Sequence, residues 1–323
     1  MTAILKLDDW LDVVRREYLS DYVPNGGAAV KFVVPCDGSV TESIAGRVAT
    51  SASEHGYVVS TVSAATIRLH MIDKVFNAIA SQIPWADLAG RRLLDLCVGS
   101  FDTPATLSEG PADSQIAQHS GADIEYVRAV VNKQIGDHVF RDHTLARDFR
   151  IAMTWMCRAR LTGGQEGETQ FRDLIGWLSG ETRTISGMKS YQIYTKINRA
   201  NARHHFESLF AWVRRCGRPG TVVVLDAGRL ADSKPRHDGT ISYTKNALLD
   251  AYEAFRQFID GTDDLQSAFI VVAADYAFLE TEPGSRGLGA YPALMNRVYD
   301  EVHDRNLPNP MSSLLRVTTE AAR

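Results

Sequence analysis

Four short apolar runs, each set off by turn residues, stand out along the chain. They are Ala28–Val34 (AAVKFVV) after Pro24-Asn25-Gly26-Gly27, and Gly56–Val62 (GYVVSTV). Thr221–Asp226 (TVVVLD) follows Gly217-Arg218-Pro219-Gly220, and Ala268–Ala274 (AFIVVAA) follows Gly261-Thr262-Asp263-Asp264. Runs this short, rich in Val and Ile, have the length of strands. A strand with one wet face alternates apolar and polar residues. Near-continuous apolarity means that both faces are covered, which is the condition of a parallel sheet between helical layers. A fifth candidate, Ser313–Thr318 (SLLRVT), stands behind Pro308-Asn309-Pro310.

Between these runs the apolar spacing is helical. Glu42–His55 links the first two strands, and Thr66–Ile83 places apolar residues on a 3.6-residue period. Ile124–Ile135, Arg147–Arg160, Glu168–Ser179 and Ala200–Arg215 also read as helices, with no strand among them. Lys245–Gly261 and Arg286–Asp304 are the last two expected helices, and Leu107–Gly121 and Ala231–Thr240 are expected loops. The pattern predicts an α/β core in two halves, residues 1–66 and 220–323, with a helical insertion over residues 67–219 between strands two and three.

Composition narrows the function classes. The chain has 323 residues, 45 % hydrophobic and 23 % charged, which excludes a disordered or collagen-like chain. A net charge of −4 gives no overall field toward nucleic acid or membrane. The four cysteines are too far apart for a metal knuckle and too few for a secreted disulfide framework, so a reducing cytoplasm is expected. The N-terminus MTAILKLDDW lacks the basic start and long apolar run of a signal peptide, and no run approaches the ~20 residues of a bilayer span.

Parallel sheets bind ligands at the carboxyl ends of their strands. After the first strand the chain reads Pro35-Cys36-Asp37-Gly38-Ser39-Val40-Thr41-Glu42 and enters a helix, which is where a phosphate loop would lie. That chemistry asks for G-x-x-x-x-G-K-[ST]: glycines free backbone N–H groups to wrap a phosphate, lysine supplies charge, and the hydroxyl holds Mg²⁺. In this register Pro35 and Val40 replace the glycines, Thr41 stands at the lysine and Glu42 at the hydroxyl. Taken alone, the octapeptide reads as a plain strand–helix turn. Asp226 closes the third strand as a metal-holding acid would, or it caps a turn before Gly228. Ala227 stands where a water-activating glutamate would follow.

Longer stretches carry a resemblance. They include Gly27–Val34 before the loop, His55-Gly56-Tyr57-Val58-Val59 after its helix, and Leu174–Glu181 (LIGWLSGE). Ile193-Tyr194, Asn201-Ala202-Arg203 and Gly217–Asp226 continue the series, which closes with Tyr252-Glu253, Phe258-Ile259-Asp260, Arg286-Gly287-Leu288, Tyr291–Leu294 and Arg297. In this order and spacing the chain resembles the BrxD-like ATP-binding family of BREX and related bacterial anti-phage systems. The resemblance implies a P-loop NTPase fold of the additional-strand (ASCE/AAA-like) type. Its parallel sheet would have about five strands, with the phosphate strand and the aspartate strand not adjacent. It makes Gly38, Ser39, Thr41 and Asp226 a vestigial nucleotide site, and Arg286 either an arginine reaching across a subunit boundary or a structural salt bridge. The departures at Val40, Thr41, Glu42 and Ala227 point to a pseudo-ATPase with no catalytic residue and no required cofactor, weak ATP and Mg²⁺ binding staying open. An active ATPase using Asp226 with an atypical loop is the second reading. Implied partners are other defence-system proteins, a helicase or an ATPase relative, with an oligomer of fold relatives as an analogy.

Residues 183–218 hold eight Lys and Arg against one acid, Glu207. Lys196, Arg199, Arg203, Arg214, Arg215 and Arg218 are the candidate contacts to DNA or to an acidic partner. The alternative is a solvated helix face paired with acids elsewhere in the fold. No metal site is expected: His138 and His143, with Asp137 and Asp142, do not match a closed site, and His204 and His205 point in different directions on a helix.

Overall fold

All five anticipated strands pair in parallel in a computed structural model of the chain, which describes residues 4–38, 41–101, 112–232, 238–282, 284–299 and 308–319. They are β2 (Ala28–Pro35), β3 (Val58–Ser63), β4 (Thr221–Asp226), β5 (Ala268–Ala273) and β6 (Leu314–Thr318). A sixth, β1 (Leu5–Lys6), joins the outer edge of β6 and takes the sheet beyond the expected five. Two residues show no periodicity, so only the pairing of Leu5 with Val317 and Lys6 with Thr318 marks them as a strand. The sheet order is β1-β6-β2-β5-β4-β3, so β5 separates β2 from β4.

The helices are α1 (Leu7–Val13), running on through a π-helical segment to Tyr22, then α2 (Thr41–Glu54) and α3 (Ile72–Ala80). Then come α4 (Trp85–Cys97), α5 (Asp113–Ser120), α6 (Ile124–Ile135), α7 (Arg147–Thr162), α8 (Gly164–Leu178) and α9 (Ala202–Arg215). α10 (Lys245–Asp260) and α11 (Pro292–Val298) lie in the last third. The chain forms two compact units, Met1–Ile79 with Pro219–Arg323, and Ala80–Arg218.

In the first unit, the strands bury both faces, as their sequence demands. Trp10, Leu11, Val14 and Tyr18 join Ile44, Ala45 and Val48 of α2 on one face, against Val222, Val224, Phe269 and Val271. On the other, Phe32 stacks on Phe278 at 5.5 Å and meets Phe255 of α10 edge-on at 6.0 Å. Lys31, the charge inside the first apolar run, is 5 % exposed. Its ammonium donates to the carbonyls of Met311 and Ser312 and lies 5.1 Å from the centre of the Tyr18 ring, so the buried charge is both hydrogen-bonded and faced by a π system.

Four expectations for the helices need correction. The helix expected over Thr66–Ile83 is helical only from Ile72, because Tyr243 takes over the backbone ahead of it: its hydroxyl accepts from the Leu69 N–H and lies 2.7 Å from the Ile67 carbonyl. The helix expected from Arg286 begins at Pro292, and residues 300–304 lie outside the described residues. Gly287 and Gly289 explain the late start: a Cβ there would fall 2.3 Å from the Ala277 oxygen and 2.2 Å from the Thr281 oxygen, a packing that a helix of side-chain-bearing residues does not allow. α4 has no counterpart among the expected helices, and α5 forms within the expected polar loop 107–121, of which residues 107–111 lie outside the described ones.

The second unit holds the helices from α4 to α9. Gly167 of α8 lets that helix press against α7, where a Cβ would stand 2.3 Å from the Ala159 oxygen. Trp177 and Trp212 are fully buried, and Trp177 Nε1 donates to the Thr195 carbonyl. No helix among the described residues is long and apolar enough to cross a membrane.

Candidate functional site

The carboxyl ends of β2, β4 and β5 open into a cavity of about 720 Å³, wholly within the first unit. Its lining includes Gly38, Thr41 and Glu42 from the first strand–helix turn, and Asp226, Gly228, Arg229 and Asp232 from the chain after β4. Asp275 and Tyr276 come from the chain after β5. This is the position where a doubly covered parallel sheet offers its loops to a ligand.

Asp226 is the hub. Oδ1 accepts the Thr41 hydroxyl at 2.6 Å and the Gly228 N–H at 3.1 Å, and Oδ2 accepts the Ser63 hydroxyl at 2.8 Å. The Gly228 N–H bond is the turn cap that the sequence allowed for Asp226. Thr41 is the first residue of α2, and its hydroxyl meets Asp226 even though β5 lies between β2 and β4. Thr41, and not Glu42, therefore presents an oxygen to the carboxylate, one residue earlier than the octapeptide register suggests. Gly228 makes the approach possible, since a Cβ there would stand 2.1 Å from Thr41 Oγ1. Thr41 and Asp226 are hard oxygen donors of the kind that Mg²⁺ accepts.

The start of the loop is bonded into the sheet. Pro35 pairs with Val317, and the Cys36 N–H donates to the Val317 carbonyl at 2.8 Å. The Asp37 carboxylate accepts the Thr318 hydroxyl at 3.0 Å and the Thr319 hydroxyl at 2.8 Å. The start of the loop is thus tied to β6 and its end, and Gly38 turns it with φ +80°. Ser39 and Val40 lie outside the described residues. Ala227 puts a buried methyl where a general base would stand, and its N–H belongs to the Ala273 carbonyl.

The charged residues of the described lining are mostly acidic. Glu42, Asp226, Asp232 and Asp275 line the cavity, and among the described lining residues Arg229 is the one cation. Its guanidinium is held by Asp238 at 2.8 Å and by the Thr240 hydroxyl at 2.9 Å. Burial pushes the Asp275 carboxyl up to about 6, reinforced by the like charges of Asp232 and Glu280 and opposed by the N–H groups of Phe278 and Ala277. Asp232, Asp275 and Ser63 were not anticipated. Asp275 had one signal: it follows the buried run AFIVVAA at a strand's carboxyl end.

Arg286 lies in the same unit, half-buried. It donates from Nε to the Ala231 carbonyl at 2.9 Å and from Nη2 to the Tyr243 carbonyl at 2.8 Å. Its own carbonyl accepts the Tyr252 hydroxyl at 2.7 Å. The guanidinium thus holds its own chain's backbone in place.

In the second unit the basic segment divides. Arg215 pairs with Asp142 at 2.7 Å, Arg218 with Asp87 at 2.8 Å, and Arg203 with Glu207 at 3.3 Å one turn along α9. Lys196 donates to the Arg183 carbonyl at 2.6 Å, while Arg199 and Arg214 are exposed and form no ion pair among the described residues. His205 is buried beneath Trp177 and Phe149, and burial lowers its basicity, while His204 is exposed. Asp137 pairs with Arg141, and His143 Nδ1 lies 2.5 Å from the Arg150 guanidinium. All four cysteines are free thiols.

The family model described as BREX system ATP-binding protein BrxC/D matches residues 14–320. The chain belongs to that family. No curated protein and no solved structure matches it.

Proposed function

We propose that this member of the BREX ATP-binding family works in its defence system without hydrolysing ATP, as a subunit that other system proteins dock against. Family membership gives the BREX system and the company of its other proteins.

One observation carries it: the carboxyl-end cavity presents four carboxylates, and its one described cation is already committed to Asp238. ATP brings about four negative charges. Two like charges ~6 Å apart at an effective dielectric of ~20 repel by about 3 kcal/mol, and a P-loop normally sets lysine and backbone N–H groups against that cost. Here the start of the loop is bonded to β6, and a methyl stands at the general-base position. Losing a general base costs on the order of 10²–10⁴ in rate, and losing fixed positive charge at the transition state costs a comparable or larger factor.

Thr41 and Asp226 favour a second reading, in which Mg²⁺ and ATP bind and turn over in an atypical loop. Titration calorimetry with ATP and Mg²⁺, run beside a phosphate-release assay, separates the two. The first reading expects no release above the buffer rate and no micromolar binding. Micromolar binding with turnover that disappears in Asp226→Ala would establish the second and overturn the first.

A further inference from the structure

We infer that the second unit carries a binding surface for single-stranded DNA, built around Tyr194 and the first turn of α7. It shares no residue with the carboxyl-end cavity, so it stands whether or not that cavity takes nucleotide.

Three aromatic rings lie open on this unit where burial would be expected, Tyr126, Tyr194 and Phe140, and the last two, 54 % and 42 % exposed, stand beside α7. Both of these two have a guanidinium over them. Arg147 lies 5.8 Å from the centre of the Tyr194 ring, and Arg150 lies 5.6 Å from that of Phe140. Arg147 and Arg150 are three residues apart at the start of α7, so the two rings flank one helical turn. A solvent-exposed ring backed by an arginine is a platform on which a base can stack, sequence-tolerant because every base has a π face.

The surroundings supply the charge. Tyr194 sits in the irregular stretch between a 3₁₀ turn (Ile185–Tyr191) and α9, where every residue from Gln192 to Ala200 is exposed except Ile193 and Ile197. Arg183, Lys189, Lys196 and Arg199 project from this stretch and its flanks, and none forms an ion pair among the described residues. The carboxylates nearby are engaged: Asp148 takes the Arg147 guanidinium and the Thr195 hydroxyl, and Glu207 takes Arg203 and His204. Exposed cations that form no ion pair among the described residues, beside two open rings, fit a polyanion that also has flat faces. An acidic protein would use the cations and leave the rings idle, and duplex DNA hides its base faces, so single-stranded DNA is the partner that uses both features.

The test is fluorescence anisotropy with a labelled oligo(dT), at 50 and 200 mM salt, on the full chain. Wild-type binding should weaken by about 10²-fold across that range if four or five phosphates are contacted. Tyr194→Ala should weaken binding by at least about fivefold, the low end for one stacked base. The double variant Lys196→Glu with Arg199→Glu should lower both affinity and the salt slope. All three changes are at exposed positions, and unchanged thermal melting confirms the fold. Absence of oligo(dT) binding by wild type at 50 mM salt would overturn the inference. So would affinities unchanged in both variants, or polyglutamate displacing oligo(dT) as well as unlabelled oligo(dT) does.

Discussion

The Thr41 hydroxyl, on the first residue of α2, donates across 2.6 Å to Asp226 at the end of β4, while β5 runs between β2 and β4. The bond ties the first strand–helix turn to the third long strand over 185 positions of sequence. It also uses one lone pair of the carboxylate that would hold a divalent cation. A hydrogen bond to a buried charged acceptor is worth ~1.5–3 kcal/mol. Thr41→Val keeps the shape and removes the donor, so a loss of about that size is expected in chemical denaturation, and an unchanged unfolding midpoint would contradict the hub role.

Gly228→Ala tests the same contact from the other side. The added methyl would lie 2.1 Å from Thr41 Oγ1 and 3.0 Å from Thr41 Cβ and Cγ2. Overpacking of this kind costs ~1–3 kcal/mol. Thr41→Ala in the same chain removes the obstructing oxygen, and the double variant should recover part of the loss relative to the sum of the single changes.

Asp275 gives a pH signature. Its carboxyl is raised to about 6 in the fold by burial, above the ordinary aspartate value of 3.8. The folded state therefore holds a proton that the unfolded chain releases. This contribution to stability is present below about pH 4 and is lost as pH rises through about 6, levelling off once the folded carboxyl is ionised. Asp275→Asn should remove that component: the difference in melting temperature between variant and wild type should grow in the variant's favour from pH 4 through about 6 and then level off. A difference that stays flat across this range would show that the carboxyl titrates normally.

Arg286 holds the carbonyls of Ala231 and Tyr243, which position the chain that follows the cavity-lining residues after β4. Arg286→Ala should lower the melting temperature by several degrees at every protein concentration, because the bonds lie within one chain. Destabilisation seen only at high concentration, where copies associate, would assign the guanidinium to a subunit boundary instead.

Asp232, on the chain after β4, and Asp275, on the chain after β5, line the same cavity as Thr41 and Asp226. Changing both to asparagine removes two negative charges without altering shape. Weak ATP affinity should then rise by roughly tenfold or more, given about 1.4 kcal/mol per decade and repulsions of a few kcal/mol. Equal affinity in calorimetry would show that charge is not what keeps nucleotide out.

What the residues determine alone is local. Near-continuous apolarity in Ala28–Val34, Thr221–Asp226 and Ala268–Ala274 is enough to require strands covered on both faces, because a strand's side chains alternate and both sets are apolar. The same runs locate their carboxyl ends, and so Asp226 and the turn before α2. The helices Ile124–Ile135 and α7 are likewise legible from their period. Tertiary structure decided the rest, since it depends on residues that no local period relates. The pairing of Leu5 with Val317, the insertion of β5 between β2 and β4, and the meeting of Thr41 with Asp226 all join distant segments. The same holds for charge: Arg215 and Arg218 belong to one basic run in sequence, but Asp142 and Asp87 neutralise them in space, and Arg199 is left to solvent. Charge counted along a chain fixes only composition, while the field at a surface is set by which opposite charges the fold brings within a few ångströms.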